Sequence, residues 1–273
     1  MIPLRDNIPA RTTPIVNYTL IGICTLVFLL QLADESNRRA GLIERFGMIP
    51  ARVLEPDQPV RMQVQVQDRL GRRFVRPVEM APPPVSPWVT LLTCIFLHGG
   101  WLHFLGNMWF LFIFGDNVED RVGHLGYLLF YLFCGVFASV AHLLFNAASV
   151  VPTIGASGAI AGVMGAYFLL YPRAKVLSIL PIFFFIQIIV LPAPVFLGIW
   201  FLFQFLQGTV STASGMHAGG VAWWSHIGGF VVGFAIAAIL ESIGGTRPPV
   251  QRVRPHADRM GTHRFGRGLD ETF

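Results

Sequence analysis

Residues 154–167 read IGASGAIAGVMGAY, an apolar stretch rich in glycine and alanine with one serine, Ser157, flanked by small neighbours. Ser157, Ala161 and Gly165 recur every four residues, so on a helix they share one face. A second stretch, AWWSHIGGFVVG (222–233), continues with FAIA and places Gly229, Gly233 and Ala237 at i+3, i+7 and i+11 from His226. Small residues at spacing four let membrane helices approach closely. If the two stripes face each other, Ser157 and His226 come within reach.

The whole chain fits a polytopic membrane protein. Of its 273 residues 53% are hydrophobic and only 13% charged, whereas soluble domains carry about 25% charged residues. Spanning helices need about 20 apolar residues. Candidates are Ile15–Ala33, Trp101–Gly115, Leu125–Asn146, Ser157–Tyr171, Pro194–Gln207 and Val221–Glu241. Pro181, Pro192 and Pro194 break the apolar run 176–193, which reads as a partly embedded connection. The first apolar run lacks an A-x-A-like cleavage site and reads as a retained span after a polar tail, residues 1–14. The net charge of +5 concentrates in loops and tails. We read it as topology, not as nucleic-acid binding. Arg173, Lys175 and the six arginines after Gly245 place both termini in the cytoplasm. In a bacterial host the membrane would be the cytoplasmic one.

The expected fold is an all-α polytopic bundle of six helices over residues 15–245, with a small β-hairpin in the first loop, 34–100. VRMQVQVQDRLGRRFVRPVEM (60–80) alternates apolar and polar residues around a DRLG turn, as a hairpin does. Asp116, Asn117, Glu119 and Asp120 are read as a solvated turn after the second helix. Residues 246–273, rich in Arg, Pro, Gly and His, are read as a disordered tail.

Polar residues inside spans are rare and call for a function. His103 and Asn107 lie four apart at the start of the second helix and share its face. On the inferred topology the second, fourth and sixth helices run the same way. His103, Asn107, Ser157 and His226 then sit at one depth. A serine hydroxyl becomes a nucleophile when a neighbouring histidine takes its proton. No Asp or Glu lies near His226 in its span, so the pair would be a dyad, with the imidazole held by packing or a neutral hydrogen bond. The Ser157 backbone N–H, Asn107 and His103 could then stabilise an oxyanion. His98, Gly155 and Gly158 border the site. His142 and His217 are read as structural or solvated. Cys24, Cys94 and Cys134 have no motif spacing and are read as buried thiols.

GASG at a helix start, HGGWLHFLGNMWFLFIFGDNVEDRVG (98–123) and AWWSHIGGFVVG (222–233), in this order, closely resemble the rhomboid family of intramembrane serine proteases. The resemblance covers about residues 12–241. It implies Ser157 as nucleophile, His226 as general base, and His103 and Asn107 as oxyanion donors. It also implies a fifth helix and a loop at 208–220 that gate and cap substrate entry from the lipid bilayer, and transmembrane proteins as substrates. The Trp-Arg pair found in the first loop of some bacterial members is absent, and the hairpin looks like an insertion. No cofactor is implied. A metal site is not expected, since H-E-x-x-H and an intramembrane carboxylate ligand are both missing. A transporter would show internal repeats or mid-membrane charges. The main alternative is a catalytically inactive relative that binds membrane-protein clients. Such proteins tend to lose the serine or the histidine, and this chain keeps both.

Overall fold

The computed structural model describes residues 1–35, 41–67, 73–182, 185–214 and 222–248. The hairpin turn at 68–72, residues 215–220 of the proposed cap loop and nearly all of the basic tail lie outside the described residues, whereas 208–214, read as the start of that loop, continue a helix. In chain order the elements are β1 (Ile2–Asp6), α1 (Ile15–Glu35), α2 (Leu42–Phe46), α3 (Pro50–Leu54), β2 (Arg61–Gln67), β3 (Arg73–Glu79) and α4 (Thr90–Thr93). They continue with α5 (Trp101–Val122), α6 (His124–Phe145), α7 (Ser157–Leu170), β4 (Lys175–Ile182), β5 (Phe185–Pro192), α8 (Ala193–Ser214) and α9 (Trp223–Ser242).

The protein is mostly helical, and α1, α6, α8 and α9 are each long and apolar enough to cross a membrane. The segment Pro87–Phe96 joins α5 through a bend of 79° and passes the same test with it. Helix α7, of 14 residues, is apolar but short. The outer faces are apolar too: Leu102, Leu125 and Phe203 are 88%, 70% and 61% exposed. Water would penalise that surface and hydrocarbon would not. The chain is an integral membrane protein.

Helix α7 sits in the middle, with every residue from Gly158 to Tyr167 buried. Glycines set how closely α9 approaches it. A Cβ on Gly229 would lie 2.0 Å from the Gly158 carbonyl oxygen, and one on Gly233 would lie 2.1 Å from that of Gly162. A Cβ on Gly165 would meet the Phe230 carbonyl at 2.1 Å. The closest approach therefore runs through Gly158, Gly162 and Gly165 on α7. Ala161 is fully buried in the core.

Two further features were not in the sequence reading. The connection expected at 176–193 is built mainly as a hairpin, in which β4 and β5 pair antiparallel from Lys175↔Pro192 to Ile182↔Phe185. Strand β1, inside the supposed tail, joins β4 to make a three-stranded sheet in the order β1-β4-β5. Extended pairing tolerates β-branched residues and terminal prolines better than a helix does. The hairpin β2/β3 forms a separate sheet, with Arg61 opposite Glu79 and Gln67 opposite Arg73.

The second correction concerns the acidic segment after Gly115. It is not a solvated turn. It continues α5 for another two turns, and Asn117, Glu119, Asp120 and Arg121 are all nearly inaccessible. Each charge has a partner. Glu119 accepts the Val16 and Asn17 backbone N–H groups at 3.0 and 2.7 Å, which caps α1 with a carboxylate at its positive end. Asp120 pairs with Arg11 at 2.8 Å, and Arg121 with Glu241 at 2.6 Å. Strand β1 is tied to the same region through Asp6, which accepts from Asn117 Nδ2 and from the Tyr167 hydroxyl. Buried charges are tolerated only when paired, and here their pairing binds both ends of the chain to α5.

Candidate active site

Ser157 is the first residue of α7, where backbone N–H groups have no intrahelical acceptor. The chain reaches it through Gly155, whose φ of +126° favours glycine. A Cβ at Gly155 would lie 2.7 Å from His103 Nε2 and 3.5 Å from Ser157 Oγ. Glycine thus leaves open the space on which these two side chains converge.

His226 lies in the first turn of α9, and its Nε2 is 2.7 Å from Ser157 Oγ. The glycine-mediated packing of α7 on α9 makes that contact possible. On its other side, His226 Nδ1 is 2.7 Å from the amide oxygen of Gln204 on α8. Trp200, one turn earlier on α8, is tilted 39° to the imidazole with centroids 5.8 Å apart. Trp223 meets it edge-on at 6.2 Å.

His103 and Asn107 project from the start of α5 toward the same space. His103 Nδ1 accepts the Gly99 N–H at 3.3 Å, which leaves its Nε2 toward Gly155. Asn107 is buried, and its amide nitrogen donates to no protein group among the described residues. A few other buried side-chain atoms also lack partners, on His98, Asn117, Arg121, Tyr131 and Ser178. Of these residues only Asn107 lines the cavity at Ser157 and His226. That cavity, of about 830 Å³, is bordered by residues of α5, α7, α8 and α9 and by Val151, Pro152 and Ile154. An orphaned donor on a cavity-lining residue calls for a partner beyond the described residues.

His98 takes a different place. Its backbone N–H and carbonyl are both bonded to the Gln31 side chain, at 3.0 and 2.9 Å. Its ring is packed against Phe28, Phe104 and His103. It is buried and does not line the cavity. Among the described residues no group of three or more His, Cys, Asp or Glu could hold a metal ion. Gln204 has no counterpart in the sequence reading. It is the one amide in VFLGIWFLFQFL (195–206), and the rule that singled out His103 and Asn107 applies to it equally.

These observations define a class: an integral membrane protein whose helices join a serine and a histidine beside a cavity with an unused donor. The chain belongs to the rhomboid family, whose Rhomboid domain matches residues 86–243, more than half of its length. It is similar to the rhomboid protease GluP of Bacillus subtilis, 43% identical over 79 residues, which are 29% of this chain and 15% of that one. It is also similar to the chloroplastic Rhomboid-like protein 11 of Arabidopsis thaliana, 41% identical over 75 residues, 28% of this chain and 26% of the relative. A longer match, 31% identical over 157 residues, joins it to RHOMBOID-like protein 4 of the same plant, covering 55% of this chain and 33% of the relative. The chain thus spans about a third or less of the length of these relatives.

Proposed function

We propose that the chain is an intramembrane serine endopeptidase that hydrolyses peptide bonds in or near the spans of membrane proteins. The observation that carries this reading is the 2.7 Å contact between Ser157 Oγ and His226 Nε2 at a cavity wall. Ser157 Oγ attacks the scissile carbonyl carbon as His226 Nε2 takes the hydroxyl proton. The tetrahedral oxyanion accepts from the Ser157 N–H, from Asn107 Nδ2–H and from His103. His226 then returns its proton to the leaving amine, and the C–N bond breaks to leave an ester on Ser157. Water, deprotonated by His226, hydrolyses the ester and restores the serine.

The length of α7 supports a recessed site. Its 14 residues rise about 21 Å, against a hydrocarbon core of about 30 Å. With the basic YPRAK turn at the cytoplasmic boundary, Ser157 lies about 9 Å beneath the opposite surface. Six helices cross in this arrangement, both termini are cytoplasmic, and water reaches Ser157 through the cavity.

The test is cleavage of a single-span model substrate by detergent-purified protein, beside Ser157→Ala and His226→Ala. Both substitutions should abolish cleavage while leaving the unfolding midpoint within a few degrees. Cleavage that survives in Ser157→Ala sinks the mechanism. Capture of the substrate without cleavage by all three proteins supports client binding instead.

A further inference from the structure

We propose that Gln204 is a positioning residue: its amide oxygen holds the His226 imidazole in the tautomer that a general base requires. The inference rests on the peptidase reading above. To accept the Ser157 proton, Nε2 must present its lone pair to Oγ. The ring proton then resides on Nδ1, and a buried N–H needs an acceptor. The Gln204 amide oxygen, 2.7 Å away, supplies it. Gln204 is only 9% exposed, so water competes little for the bond. Trp200 and Trp223 limit rotation of the ring from two further sides. The site is therefore a serine, a histidine and a neutral amide, contributed by α7, α9 and α8.

The neutral partner has a mechanistic consequence. A carboxylate would stabilise the imidazolium and raise the pH at which the base loses its proton. An amide fixes orientation and tautomer with little charge stabilisation. Because Gln204 is on α8, the base is aligned only while α8 packs against α9.

The test uses the full chain in detergent, with a fluorophosphonate as probe. Ser157 Oγ attacks phosphorus, fluoride leaves and His226 takes the proton, so the labelling rate reads serine nucleophilicity. Gln204→Met keeps the volume and removes the acceptor. It should slow labelling and lower kcat about 10- to 100-fold, the range for partners that orient a histidine, with KM little changed. Gln204→Glu restores an acceptor and should recover labelling to within a few-fold. It should also move the acid limb of the pH profile to higher pH. Gln204→Met with the wild-type rate and pH profile overturns the proposal, as does Gln204→Glu that labels as slowly as Gln204→Met. If the wild type is labelled no better than Ser157→Ala, the peptidase reading fails. Side-chain 15N spectra then decide on Gln204 alone. An Nδ1-protonated His226 in the wild type that changes tautomer in Gln204→Met sustains its role, and identical spectra refute it.

Discussion

Replacing Gly229 by alanine tests whether helix packing sets the geometry of the site. The new methyl would lie 2.0 Å from the Gly158 carbonyl oxygen and 2.9 Å from its carbon, where real Cβ atoms keep at least 3.0 Å. Both opposing atoms are backbone, so no rotamer change relieves the clash, and α9 must move about 1 Å away from α7. His226 is three residues earlier on the same face and moves with it. Its 2.7 Å contact with Ser157 would stretch past hydrogen-bond range, beyond about 3.5 Å. A 1 Å misplacement of reacting groups lowers a rate about 100-fold, and overpacking costs about 1–3 kcal/mol of stability. Cleavage of the single-span substrate and thermal unfolding, both in detergent, read the two effects. Gly22→Ala on α1 is the control, since nothing lies within 4 Å of its Cβ position. It should cleave like wild type. Wild-type cleavage and an unchanged midpoint in Gly229→Ala would refute the claim that this packing positions the base.

Asn107→Ala should lower kcat about 100- to 1,000-fold, the usual range for an oxyanion donor, with KM nearly constant. A parallel rise in KM would instead mark Asn107 as a ground-state contact. Burial pushes the Asp6 carboxyl on β1 from 3.8 up to about 6, although the Tyr167 hydroxyl bond acts the other way. Its folded value is the higher one, so this contribution to stability is fully present below about pH 4 and is lost as pH rises through 6. The protection factors of the β1 amides, with the intrinsic base-catalysed rise in exchange divided out, should therefore fall between pH 5 and 7. Asp6→Asn should flatten that dependence and add about 1–2 kcal/mol at pH 7, allowing for partial exposure. A pH-independent protection factor in wild type would refute it.

The readable parts of the fold were those written as periodic patterns. Apolar runs marked the helices because hydrocarbon demands them, and the alternation at 60–78 marked β2 and β3 because a pleated strand has a period of two. The glycine stripe of α9 was legible for the same reason. The charges of residues 116–121 were not. A cluster of Asp, Glu and Arg after an apolar run reads as a helix end, and only partners from far along the chain, Arg11 and Glu241, make burial tolerable. The β4/β5 hairpin was hidden because an apolar run with prolines carries no period, and because β1, which completes its sheet, is about 170 residues away. The site divides similarly. Ser157, His226, His103 and Asn107 stand out as polar residues within apolar stretches. Gln204 obeys the same rule but lies on a helix for which no face had been fixed.

In lipid the hydrophobic effect gives little reason for one apolar helix to choose another, so association rests on close packing and interhelical hydrogen bonds. In the upper part of this bundle both are concentrated where α7, α8 and α9 meet. The glycines let the α7 and α9 backbones touch, and the bonds Ser157–His226 and His226–Gln204 tie the three helices in sequence. The contacts that hold the His226 imidazole are thus also contacts that choose helix partners. At the opposite end of the bundle, Arg121 and Glu241 join α5 to α9, and Arg121 also reaches the Leu170 carbonyl at the end of α7. Fixed at that end by charge, α7 and α9 enter the site with their axial register already set. A slip of one residue would carry Gly233 past the Gly162 carbonyl and put Val232 or Phe234 there instead. The geometry of the serine and histidine therefore follows from the helix register, and the register is fixed by residues that never touch the cavity.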